Sequence, residues 1–168
     1  RSGVMLPKLK ADSGFDYNRT LIGLNRIALG FFKKVVVADR LSVYVNEVYG
    51  HPKDFGTVAI AIAAIFFAFQ IYCDFSGYTD IAIGLALLLG FSFPQNFDSP
   101  YTALSVQDFW RRWHMTLSRW LRDYVYIPLG GSRGSLSFTY RNLMLTMLIG
   151  GLWHGASWNF VIWGGIHG

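Results

Sequence analysis

Residues 55–73 run without a single charged side chain, and that stretch constrains the chain more than any other. An α-helix rises about 1.5 Å per residue, so roughly 20 apolar residues cross a hydrocarbon core. The run is rich in Ala, Ile and Phe and fits one transmembrane helix. Composition points the same way: 52% hydrophobic, 17% aromatic and only 15% charged residues are too apolar for an ordinary soluble domain of 168 residues. The expected fold class is all-α, a multi-pass transmembrane helical bundle with interfacial and re-entrant helices.

The remaining segments are read against that helix. Residues 81–93 are uncharged but short and contain Gly84 and Gly90, which predicts a short or re-entrant span. Between the two lies Tyr72-Cys73-Asp74-Phe75-Ser76-Gly77-Tyr78-Thr79-Asp80, a polar interruption that is either a turn at the membrane surface or the lining of a cavity. Residues 17–49 hold apolar positions at helical spacing mixed with Arg19, Arg26, Lys33 and Lys34, as in a helix at the interface or among other helices. Residues 105–126 predict one amphipathic interfacial helix, capped by Ser105 and braced by Asp108 with Arg112 and Arg119 with Asp123. Residues 127–134 break it with a proline and three glycines, as a loop or as an anion cradle beside Arg133. Residues 142–168 predict a kinked transmembrane segment, or two half-spans meeting at the glycines of a break over 150–159. Residues 1–16 read as a connecting loop. Together 1–168 are expected to be an internal fragment of a single membrane domain.

The net charge of +5 comes from basic clusters that flank apolar helices, which suits the lipid bilayer as a partner and excludes nucleic acid. A lone cysteine, Cys73, excludes an intramolecular disulfide and a cysteine-based zinc site. No metal or prosthetic group is expected.

Two histidines are the candidates for chemistry. An imidazole titrates near 6.5, so it handles protons near neutrality at a smaller desolvation cost than a buried carboxylate or lysine. His154 stands among Gly150, Gly151 and Gly155 in an uncharged run, and His114 shares an aromatic helix side with Trp110, Leu117, Ser118 and Leu121. Ionisable groups in apolar segments are functional candidates by default. The residues alone leave open a base for acyl chemistry, a proton relay in a transporter, an imidazole pair on haem or metal, and plain helix packing.

The runs 72–80, Phe109-Trp110-Arg111-Arg112-Trp113-His114-Met115-Thr116-Leu117-Ser118 and Leu152-Trp153-His154-Gly155, with 31–39, resemble the membrane-bound O-acyltransferase family and its bacterial alginate O-acetyltransferase branch. The resemblance implies a multi-pass enzyme of the bacterial inner membrane. Such an enzyme moves an acetyl group from a cytoplasmic thioester donor, acetyl-CoA, across the membrane for O-acetylation of an exported polysaccharide such as alginate. A periplasmic or extracellular acetyl-relay protein is the implied partner. His154 takes the place of the family's principal catalytic residue. His114 takes the second, where many eukaryotic members carry asparagine or aspartate. Trp153, Trp110, Asp74 and Arg111 are the candidate substrate-binding residues. D-alanyl transfer to teichoic acid by a related member is the alternative, and a proton-coupled transporter is the alternative from another class.

Overall fold

A computed structural model describes residues 6–7 and 14–168, so most of the 1–16 loop lies outside the described residues. Among the described residues every regular element is helical. The chain divides into two compact units, one ending at Asn96 and one running from Phe97 to Gly168.

The first unit is built on helix α3, Thr57–Leu88. It is the one described helix long and apolar enough to cross a membrane, and only 6% of its most apolar window is buried. A core helix of a soluble protein would be mostly enclosed, and this one is not. Helix α1, Tyr17–Phe31, starts at Asp16, whose carboxylate accepts the Arg19 backbone N–H at 2.8 Å. The chain continues through a π-helical stretch, Phe32–Ala38, into α2, Asp39–Gly50.

Glycines set how closely α1 and α3 approach. A Cβ on Gly30 would fall 2.6 Å from the Gly77 carbonyl oxygen, and one on Gly84 would fall 2.5 Å from that of Gly23. The two pairings run in opposite directions along the chain, so the helices are antiparallel. Beside the glycines sit the charges. Asp80, 6% exposed, is paired with Arg26 at 2.9 Å and Lys33 at 2.6 Å. Lys34 bridges Asp74 at 2.6 Å and Asp39 at 2.9 Å, and both carboxylates raise the affinity of that amine for its proton.

These contacts correct the expectation for 72–93. The polar run 72–80 is neither a turn nor the end of a span, and 81–93 is not a separate re-entrant segment. One helix passes through both to Leu88, because the carboxylates meet cations from another helix and the interruption becomes a seam. The π-helical stretch supplies that seam, since the widened turn carries the two consecutive lysines that both reach α3.

In the second unit the expected helix 105–126 is three pieces: α4, Val106–Arg112; α5, Met115–Leu121; and a π-helical turn, Arg122–Tyr126. Ser105 caps α4 as expected, accepting the Asp108 N–H at 3.1 Å, and Asp108 pairs with Arg112 at 3.0 Å. Asp123 pairs with Arg122 at 2.9 Å. The break falls at His114, whose backbone is left-handed at φ 42°. Counting helix faces across that residue therefore fails.

The 142–168 run is two helices packed as a hairpin, not one kinked span: α6, Leu136–His154, and α7, Trp158–His167. The reversal lies at 155–157, inside the break expected over 150–159. Ser157 caps α7 by accepting the Asn159 N–H at 3.3 Å. A side chain on Gly151 would collide with the Phe160 carbonyl, and one on Gly164 would fall 2.6 Å from that of Met147. These glycines let the hairpin close. A helix start does follow the glycine-rich break, because Ser135 accepts the Phe138 N–H at 3.3 Å. Gly130 and Gly131, at φ 109° and 59°, turn the chain so that the Gly131 carbonyl accepts from the fully buried Asn142 amide at 2.9 Å.

Candidate active site

The second unit holds a cavity of about 530 Å³. α4 contributes Trp110 and Arg111, the break contributes Trp113 and His114, α5 contributes Leu117 and Leu121, and the hairpin contributes Gly150, His154, Trp163 and His167. The two histidines singled out in the sequence, forty residues apart, thus line one space. Trp110 and Arg111 line it as well.

Two other candidates sit elsewhere. Asp74 is on α3 in the first unit, where Lys34 takes its carboxylate. Trp153 is 58% exposed and lines a shallow depression outside the cavity with His114, Thr116 and Trp120. Its indole meets His114 at 6.1 Å and His154 at 5.1 Å between ring centroids, edge to face in both cases. Trp153 therefore backs the histidines.

The two imidazoles differ in burial. His154 ends α6 and is exposed, because the helix stops at Gly155 and does not continue as a span. His114 is half-buried, with Phe97 stacked at 6.4 Å and 23°. Burial, and then the nearby His154, push the His114 imidazole down from 6.5 to about 4. It stays neutral at physiological pH, able to donate from one nitrogen and accept at the other. Trp163, which also lines the cavity, meets His154 at 5.4 Å, edge to face.

His167 and Trp163 are site residues that the sequence analysis passed over. The available signal was a second His-Gly step, His167-Gly168, in the same apolar run as His154-Gly155. Once the hairpin closes, both histidines line one cavity. Among the described residues no three His, Cys, Asp or Glu side chains gather to hold a metal ion.

A helical chain with one long, exposed apolar helix, and with three imidazoles in an aromatic-walled cavity, has the make-up of a membrane protein with a histidine-based site. The chain belongs to the membrane-bound O-acyltransferase family, whose sequence model (MBOAT) matches residues 7–168. It is 46% identical to the peptidoglycan O-acetyltransferase of Helicobacter pylori over 98% of its length and 32% of the relative's. It is 53% identical to the probable alginate O-acetylase AlgI of Azotobacter vinelandii over 87% of its length and 29% of the relative's. The teichoic acid D-alanyltransferase of Bacillus subtilis is 28% identical over 86% of the chain and 38% of that protein. The chain thus spans about a third of the length of these curated relatives.

Proposed function

We propose that this chain carries the catalytic histidines of a membrane-bound O-acetyltransferase that modifies a polysaccharide. The observation that carries the reading is the meeting of His114 and His154, from distant parts of the sequence, on one aromatic-walled cavity. His154 is the general base. Its neutral imidazole takes the proton of an acceptor hydroxyl as the oxygen attacks the thioester carbonyl carbon. The carbon–sulfur bond then breaks, and the leaving thiolate recovers the proton from the imidazolium. His114, neutral and held by its backbone turn and by Phe97, orients the acceptor or the thioester carbonyl. Trp110 and Trp163 exclude water, which protects the thioester from hydrolysis. Arg111 binds an anionic part of the donor at the cavity's edge.

The donor is acetyl-CoA on the cytoplasmic side, and the whole protein is a multi-pass protein of the bacterial cytoplasmic membrane. A relay protein beyond the membrane passes the acetyl group to the polysaccharide. The names of the Helicobacter and Azotobacter relatives support acetyl transfer, and that of the Bacillus relative keeps D-alanyl transfer as the second reading. The test is acyl transfer by the purified full-length protein offered acetyl and D-alanyl thioesters side by side, as wild type, His154→Ala and His114→Ala. The expected result is acetyl transfer lost in His154→Ala by at least about 100-fold, the scale of a positioned base. Wild-type-like turnover in His154→Ala sinks the assignment, and preference for the D-alanyl donor replaces the acetyl reading.

A further inference from the structure

The chain just before α4 is tied to the break that carries His114. Asp98 donates its backbone N–H to the Arg112 carbonyl at 3.0 Å, two residues short of the histidine. Tyr101, in the 3₁₀ turn Pro100–Thr102, stacks on Phe109 at 6.1 Å and meets Trp113 at 6.2 Å between ring centroids. The Arg112 guanidinium also reaches the Thr102 hydroxyl at 3.5 Å, and Pro100 is fully buried. Residues 97–102 thus form a strap across the end of α4.

Strap and break share a costly backbone. Among the described residues, Ser99 and His114, at φ 45° and 42°, are the two other than glycine in the left-handed region. Such conformations persist only where their surroundings over-determine them, and they gather at functional sites. The bond from Asp98 fixes the chain before His114, and the Ser118 N–H, donating to the His114 carbonyl at 3.0 Å, fixes it after.

The strap also reaches the imidazole itself. Phe97, 6% exposed, stacks on the His114 ring at 6.4 Å and 23°, and stands edge-on to Trp113 at 5.1 Å and 87°. A turn of the imidazole about its own axis would drive an edge into the phenyl ring. With the plane fixed, so are the directions in which its two nitrogens donate and accept.

We propose that Phe97 is a positioning residue for acyl transfer, one that fixes the plane of the His114 imidazole and keeps water from one of its faces. The inference rests on the acyl-transfer reading above and adds to it the group that decides where His114 points. The first task needs a flat ring and the second needs apolar bulk, so substitution separates them.

The test compares the full-length wild type with Phe97→Leu, Phe97→Tyr and Phe97→Ala. Leucine keeps apolar bulk and loses the flat face, so kcat for acetyl transfer is expected to fall by about 10- to 100-fold with the donor KM unchanged. Tyrosine keeps the ring and most of kcat. Wild-type kcat in Phe97→Leu overturns the positioning role, and so do equal losses in the leucine and tyrosine proteins. A second measurement needs no turnover. His114 is titrated by NMR in histidine-labelled His154→Ala protein, which removes the neighbouring imidazole whose charge lowers its hold on a proton. The ionisable groups that remain around it, Arg111 and His167 on the cavity and Arg112 and Asp98 at the strap, are the same with and without Phe97. Phe97→Ala admits water, and the imidazole is expected to bind its proton about tenfold more tightly, a rise of about one unit towards 6.5. A titration that stays where it was overturns the shielding and with it the proposal. Because this arm is read without catalysis, failure of the acyl-transfer reading and failure of the Phe97 role are told apart.

Discussion

His114 meets the indole of Trp153 edge to face at 6.1 Å, and the residue bonded to that tryptophan is His154. One side chain therefore spaces the two imidazoles, from outside the cavity that they line. Trp153 is 58% exposed, so its removal leaves the core intact and frees the histidines. Trp153→Ala is expected to lower kcat by about 10- to 100-fold, as misplacement of a catalytic group does, while Trp153→Phe keeps most of it. Acetyl transfer by full-length variants, with thermal unfolding alongside, measures both. An unchanged kcat in Trp153→Ala removes the spacer role.

Protonation of His114 gives a pH signature whose sign is fixed. The unfolded chain binds this proton below about 6.5, and the folded chain binds it only near 4. Across that window the unfolded state holds more protons, so stability falls as the pH drops from 6.5 towards 4 and is flat, for this group, above it. His114→Asn is expected to flatten the slope in thermal unfolding measured between pH 4.5 and 7.5. A slope identical to wild type would show that the imidazole titrates alike in the folded and the unfolded chain.

Helical class, the capping serine at 105, the Asp108–Arg112 pair and the two histidines were legible because each is written in local spacing. What was not legible depends on partners far along the chain. The 72–80 run looks like a surface turn when read alone, since Lys33 and Lys34, which neutralise its carboxylates, stand some forty residues away. The break at His114 was hidden because helical spacing continues on both sides of one left-handed residue. Asparagine, aspartate and histidine are the non-glycine residues most often found in that conformation. The residue types that the family resemblance brings to this position are thus also the types its backbone admits. Exposure of His154 was missed because an uncharged run does not reveal where it reverses.

Gly30 and Gly77 yield a prediction for the first unit. A Cβ on Gly30 would lie 2.6 Å from both the Gly77 oxygen and Ile81 Cγ1, and backbone cannot give way as a side-chain tip can. Gly30→Ala is expected to destabilise the protein by about 1–3 kcal/mol, the usual cost of overpacking. Gly50, with open space around it, is the control, and Gly50→Ala should change stability by no more than about 0.5 kcal/mol. Chemical unfolding of the two variants in one detergent compares them directly.

Asp80 holds the same helix pair by charge, and there the argument turns on what is left behind. Its side chain is 8% exposed and meets Arg26 and Lys33, whose side chains are 34% and 22% exposed. Replacing it with asparagine keeps the shape and strands two cations against an apolar helix. Breaking a buried pair by removing one partner costs about 3–5 kcal/mol, and the part-exposed cations put Asp80→Asn near the lower end. Removing a cation as well should return part of the loss, so Asp80→Asn with Lys33→Met is expected to be more stable than Asp80→Asn alone. That recovery separates charge from shape, because a purely steric role for Asp80 predicts that the second substitution adds to the damage. Unfolding midpoints of the three proteins, wild type, single and double, decide between the two.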